Sequence, residues 1–222
     1  CWVLGRGFFA HNLPHIVYKT TNGGLNWNFQ SIYNTVANVF LSVLFFNTNT
    51  GYISGNDGPY GFLLKTTDNG LNWIQSSYGN AGQFASALKN FGNRLYTTNN
   101  LGYVIYTTND GADWTNVSTP PSTAFSNYAI ADTNIYYGYN SNSSGNLFKS
   151  TNSGVNWIFL TNPLTGINWR DITFINKNIG YLVGDKSAVI KTTDGTNFNV
   201  TQSGISSNNL IFNSVFAVDS LF

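Results

Sequence analysis

The chain has 222 residues, enough for one domain or one compact array, with 42% hydrophobic residues, 16% aromatic residues and a net charge of +1. Only 9% of residues are charged and the three arginines are scattered, which excludes the clustered basic surface that nucleic acid or an anionic membrane requires. The longest apolar run, residues 39–46 interrupted by Ser42, is far too short to cross a bilayer as a helix.

Every acidic residue is Asp, and Asn, Thr and Ser carry the remaining polarity, a composition associated with exported proteins. The sequence holds no Met, so Cys1 is not an initiator and a processed or excerpted chain with a removed export signal is expected. A single Cys permits no internal disulfide. Cys1 reads either as the lipidated first residue of a bacterial lipoprotein or as the start of a strand. The second reading follows from the match of residues 1–5 with residues 51–55 and 180–184.

In chain order, residues 1–5 read as a strand and residues 6–15 as a loop containing Arg6, His11 and His15. A ten-residue sentence follows, from Tyr18 to Trp27, and returns from Leu64 to Trp73, Ile105 to Trp114 and Phe148 to Trp157, with a shortened copy from Ile190 to Phe198. The closing aromatics lie 46, 41, 43 and 41 residues apart. A period in the forties makes each unit one supersecondary element stacked on copies of itself. Residues 39–76 show its content: an apolar strand (39–46), an Asn/Thr turn, a strand opened by Gly51, a loop with Asp57 and Tyr60, a strand (62–67), a tight turn at Gly70 and a last strand (71–76). Four antiparallel strands in about forty residues make the blade of a β-propeller. No window carries a helical period, and turn residues arrive every eight to ten positions. The expected fold class is therefore all-β, a propeller of four-stranded antiparallel blades over residues 1–222 as one domain. The tail, residues 214–222, reads as a first strand and the head, residues 1–5, as a second. Five blades closed by pairing of residues 215–218 with residues 2–4 are expected; the rival reading is a slice of a longer propeller.

The sentence matches the Asp-box pattern at Thr20, Asn22, Gly24 and Trp27; Thr66, Asp68, Gly70 and Trp73; Thr107, Asn109, Gly111 and Trp114; and Ser150, Asn152, Gly154 and Trp157. The fifth copy keeps Thr192 and Asp194 but is one residue short and ends in Phe198. The Asp or Asn side chain accepts from backbone N–H groups of its own turn, Gly supplies positive φ, and the aromatic covers the hairpin. With the Gly-aromatic strand starts at Gly51-Tyr52 and Gly180-Tyr181, these repeats resemble the Asp-box propellers of the photosystem II assembly and stability factor type, which also occur in exported bacterial proteins. The resemblance spans essentially the whole chain. It implies a propeller and leaves function open, because Asp boxes also occur in sialidases, xyloglucanases and sortilin-type receptors.

Candidate chemistry sits in the loops opposite the boxes. A glycosidase needs two carboxylates at a fixed separation, and Asp57, Asp171 and Asp185 are the Asp residues placed for that face. Asp171 with Asp185 is the candidate pair, though no Glu exists for a sialidase-like nucleophile pair. His11 and His15 flank Pro14 in a loop and lack a third protein ligand, so no metal and no cofactor are expected. Trp169 is the only Trp outside the boxes and the Gly-aromatic position, and it precedes Arg170 and Asp171. Arg6, Tyr60, Trp169, Arg170, Asp171 and Asp185 are therefore the candidate ligand contacts, with Arg170 and Asp171 expected to pair if no ligand uses them. The reading is a non-catalytic binding or scaffold module of an exported bacterial protein, secreted, at the cell surface or periplasmic, taking glycan or peptide ligands. The alternatives are a glycoside hydrolase fragment and an assembly chaperone for a membrane protein complex.

Overall fold

A computed structural model describes residues 1–5, 16–30, 32, 39–57, 60–81, 88–99, 101–117, 119–120, 125–140, 145–201 and 210–218. Among the described residues, nineteen strands form five sheets and no helix occurs. The first sheet has three strands, β1 (Trp2–Gly5), β2 (Ile16–Lys19) and β3 (Asn28–Gln30). The second has β4 (Val39–Phe45), β5 (Gly51–Asp57), β6 (Tyr60–Thr66) and β7 (Ile74–Ala81). The third has β8 (Lys89–Phe91), β9 (Arg94–Thr98), β10 (Val104–Thr107) and β11 (Thr115–Asn116). The fourth has β12 (Asn127–Asp132), β13 (Ile135–Tyr139), β14 (Leu147–Ser150) and β15 (Ile158–Leu160). The fifth has β16 (Trp169–Phe174), β17 (Gly180–Gly184), β18 (Val189–Thr192) and β19 (Phe198–Val200). Each sheet is a meander in sequence order, the blade architecture that the forty-residue period predicts.

The chain clusters into two compact units, residues 1–101 with 105–115 and residues 102–104 with 116–222. In the first unit, Phe62 and Leu64 of β6 join Val17, Ile32 and Ile53 in one core cluster, while Leu63 between them joins Tyr52, Leu88 and Leu95 in another. Successive side chains of a strand point to opposite faces, so a strand covered on both faces reads as a continuous apolar run. Burying Leu63 completely contributes roughly 1.5–3 kcal/mol. In the second unit, Tyr137, Leu147, Leu160, Ile172, Leu182 and Ile190 share one core. The last strands of the first and fourth sheets carry exposed apolar side chains, Phe29, Ile158 and Phe159.

The box turns take the expected form. Thr66 Oγ1 donates to Asp68 Oδ1 at 2.8 Å and accepts from Gly70 N at 2.8 Å, while Asp68 Oδ1 accepts from Asn72 N at 2.9 Å. Thr20 with Asn22, Thr107 with Asn109 and Ser150 with Asn152 repeat the pattern. The shortened copy keeps it by using Thr192, Asp194, Gly195 and Asn197. The residue after the Asx position is left-handed in every copy: Gly23, Asn69, Asp110, Ser153 and Gly195. Trp73, Trp114 and Trp157 are half-buried lids on their boxes, while Trp27 is 39% exposed.

Successive sheets are joined by a device that the box sentence contains but does not announce. An aromatic on one strand pairs directly across from a lysine on the next strand: Trp2 with Lys19, Tyr52 with Lys65, Tyr137 with Lys149 and Tyr181 with Lys191. Each lysine lies over its aromatic ring, at 5.0, 6.0, 5.6 and 5.4 Å from the centroid. Three pairs grip the left-handed corner of the next box. Lys19 Nζ donates to Asn69 O at 2.7 Å, and Trp2 lies against Gly70. Lys65 Nζ donates to the Asp110 carboxylate at 2.7 Å, with the Tyr52 hydroxyl bonded to its other oxygen. Lys149 Nζ and the Tyr137 hydroxyl both donate to Gly195 O, at 2.8 and 2.7 Å.

The expected tail-to-head strand is not formed among the described residues. The first sheet holds only β1, β2 and β3, and residues 212–218 form no strand. Their backbone is engaged elsewhere: Phe212 N donates to Gly184 O at 3.2 Å and Val215 N to Asp171 Oδ2 at 3.0 Å.

Candidate functional site

The predicted contacts divide sharply. Arg6 lies outside the described residues, as do His11 and His15. Tyr60 starts β6 and is 45% exposed. Trp169 is the clearest correction. Its side chain is 1% exposed and belongs to the core of the second unit, so it presents no surface to a ligand. The reason is its place at the start of β16, opposite Gly184, with Gly145 close against the indole. A hydrophobic side chain of that size is buried wherever a neighbouring strand can cover it, and loop proximity in sequence does not reveal the cover.

A β-bulge between Trp169 and Asp171 sends Arg170 outward and re-aims Asp171. Arg170 therefore pairs with Asp185 and not with its sequence neighbour: its Nε donates to Asp185 Oδ1 at 2.7 Å. Asn168 Nδ2 donates to the other Asp185 oxygen at 2.9 Å. These bonds, Arg170 foremost, hold the Asp185 carboxyl below its usual range, and the same contact raises the Arg170 guanidinium. Solvent screens the pair, so it adds little to stability. It is a polar patch, not a buried catalytic group.

Asp171 is enclosed by donors. Its Oδ1 accepts from Asn127 Nδ2 at 3.0 Å and from Ile172 N at 2.9 Å, and its Oδ2 accepts from Ser214 Oγ at 2.8 Å and Val215 N at 3.0 Å. Tyr139 sits nearby, its hydroxyl pKa pushed up first by burial and then by the Asp171 charge. Residues 210–215 cross this end of the fifth sheet: Ser187 N donates to Leu210 O, and Asp185 pairs with Ile211 as an isolated bridge. Lys186 and Ser187, both left-handed, form the corner beside it. Asp171 and Asp185 thus lie at one end of one sheet, with each carboxylate committed to neighbours. Among the described residues no group of His, Cys, Asp and Glu is placed to hold a metal ion. No described helix is long and apolar enough to cross a membrane.

Residues 6–158 match the family described as Photosynthesis system II assembly factor YCF48. The chain belongs to that family. Comparison with the curated proteins finds no match. Among solved structures, YCF48 from Cyanidioschyzon merolae is similar with a TM-score of 0.69 at 14% identity, over 90% of this chain and 66% of that one. A structure of YCF48 bound to D1 peptide gives a TM-score of 0.54 at 19% identity, over 92% of this chain and 81% of that one. The GH74 xyloglucanase from Xanthomonas campestris gives 0.66 at 12% identity, over 91% of this chain and 36% of that one. At these identities the likenesses carry the fold, a BNR-type β-propeller, and nothing finer.

The aromatic–lysine pairs are what the sequence reading missed. Their signal was present: Lys recurs before Thr-Thr or Ser-Thr in four of the five copies, while its partner follows Gly at Tyr52 and Tyr181 and stands at the matching strand position as Trp2 and Tyr137.

Proposed function

We propose that the chain is a non-catalytic binding module that holds an extended peptide segment of a protein partner, in the manner of an assembly factor. The observation that carries this reading is the state of the two carboxylates. A hydrolase needs one free to donate a proton and one free to attack or activate water. Asp171 instead accepts four hydrogen bonds, and Asp185 is held by Arg170 and Asn168. Membership of the YCF48 family and the likeness to a YCF48 structure with a D1 peptide support the peptide over a glycan. The exposed Arg170 and Asn168 offer the peptide the donor N–H groups that Asp185 does not take up, a set suited to backbone carbonyls and carboxylates. Export, to the cell surface, the periplasm or the medium, is part of this proposal and rests on the Glu-free, Asn-rich composition.

The test is a side-by-side screen of the chain on peptide and glycan arrays, repeated with Arg170→Ala. The expected result is peptide binding weakened about tenfold by loss of a charge-assisted contact, with an unchanged melting temperature. Binding to glycans alone replaces the ligand class. Polysaccharide hydrolysis that vanishes in the double variant Asp171→Asn, Asp185→Asn replaces the whole reading with the enzyme.

A further inference from the structure

Two Asn-Gly pairs occur in the chain, Asn22-Gly23 and Asn69-Gly70, both in box turns and both with the glycine left-handed. In such a pair the glycine nitrogen can attack the asparagine side-chain amide, because no Cβ stands beside it. The pairs differ by one place in the repeat. Asn22 is the Asx residue of its box, whereas Asn69 follows the Asx residue Asp68. That offset gives the two nitrogens opposite surroundings. Gly70 is buried and its N donates to Thr66 Oγ1 at 2.8 Å. In the first box the Thr20 hydroxyl takes Gly24 N instead, at 2.9 Å. Gly23 is exposed, its N has no hydrogen-bond partner among the described residues, and open space surrounds its Cα. We propose that Asn22 is a self-modifying residue, which converts to aspartate through a cyclic imide formed with Gly23.

The box supplies the activation. Asn22 Oδ1 accepts from Thr20 Oγ1 at 2.9 Å and from Asn26 N at 3.0 Å. These donors polarise the amide carbon and face the oxygen on which negative charge gathers as the tetrahedral intermediate forms. Gly23 N bonds to Asn22 Cγ, water carries the Gly23 amide proton to the leaving nitrogen, and ammonia departs. A second water then opens the imide. Cleavage between Gly23 N and Cγ gives aspartate at 22; cleavage at the other carbonyl gives the isomer whose chain runs through the side chain. Asn109 and Asn152 have the same two donors, but Asp110 and Ser153 follow them and carry a Cβ. Of the three box asparagines, Asn22 alone joins a polarised amide to an unhindered nitrogen. The aspartate product also suits the box better. Asp68 and Asp194 hold this place in sister boxes, and each accepts on Oδ2 from an asparagine side chain, Asn72 or Asn197, at 2.7 Å. Asn26 stands where Asn72 does, so aspartate at 22 gains the matching bond.

The test incubates the folded chain at mildly alkaline pH beside a sample in concentrated urea, and peptide mapping by mass spectrometry reads amide-to-acid conversion. In urea both Asn22 and Asn69 should convert. In the folded chain Asn22 should convert about tenfold or more faster than Asn69, since Gly70 N must first give up a buried hydrogen bond. Gly23→Ala should slow conversion at 22. Thr66→Ala, which releases Gly70 N, should speed it at 69, while Thr66→Ser keeps it slow. Asn22→Asp should raise the denaturant midpoint at neutral pH. The proposal is overturned if Asn22 stays an amide in the folded chain while the urea sample converts, if Asn69 converts as fast as Asn22 there, or if Asn22→Asp fails to raise the midpoint.

Discussion

Asp68 shows how much one side chain does in a box. Its carboxylate accepts from Asn72 N first, then from the Asn72 amide and the Thr66 hydroxyl, and these bonds lower its pKa from 3.8 to about 2. The folded value lies below the unfolded one. The stability it adds is therefore complete above about pH 4 and is lost as pH falls through about 2. Asp68→Asn keeps the acceptor that Asn22, Asn109 and Asn152 supply in the sister boxes. The variant loses the bond from the Asn72 side-chain amide to Asp68 Oδ2, so it is expected to be less stable than the parent near pH 7 and to lose less stability between pH 4 and pH 2. Denaturant midpoints at both ends of that window measure the difference, and parallel curves would rule out the Asp68 contribution. Trp169 belongs to the same scale. Because its indole is buried, Trp169→Ala should cost roughly 3–5 kcal/mol, the range for removing a large core aromatic. A melting temperature that barely moves would contradict the burial.

At the scale of the element, the hairpin turn and the contact it makes are separable. Gly23 and Gly70 are both left-handed, with φ of 71° and 78°. A Cβ on Gly23 would meet open space, whereas a Cβ on Gly70 would run into the Trp2 ring. Gly23→Ala is expected to cost only the strain of a left-handed alanine, about 1–2 kcal/mol. Gly70→Ala should cost that and the displacement of Trp2, with its stacking on Phe45 at 4.8 Å. Equal losses in urea unfolding would mean that Trp2 does not hold the second box. The turn itself is local and readable from sequence, since Thr, Asx and Gly at fixed offsets specify both the hydrogen bonds and the sign of φ. What the turn touches is not. Lys65 and Asp110 are 45 residues apart, and only stacked sheets bring them to 2.7 Å.

For the molecule as a whole, charge plays a small part. Two ion pairs occur among the described residues, Lys65 with Asp110 and Arg170 with Asp185, and the net charge is +1. Neither strong self-repulsion nor a surface network is available to be screened. Raising sodium chloride to about 0.5 M, where the Debye length falls to a few ångströms, should leave the denaturant midpoint almost unchanged after correction for the general salting effect on apolar surface. A large loss of stability would show that charge pairs carry more than this. Stability rests instead on apolar faces shared between consecutive sheets, Phe62 and Leu64 on one side of β6 and Leu63 on the other.

The amino-acid sequence by itself determined the repeating blade, the meander of strands within it and the form of every box, because each is set within one repeat. A Gly at a left-handed corner, an Asx side chain capping its own turn and an apolar run of strand length need no distant partner to be specified. Tertiary structure decided the rest. It buried Trp169, turned Arg170 to Asp185 through a bulge, enclosed Asp171 among Asn127, Ser214 and Val215, and gave the lysines of the repeat their acceptors one blade away. Each of those outcomes depends on which sheet lies over which, and a period states that copies stack without stating which atoms meet.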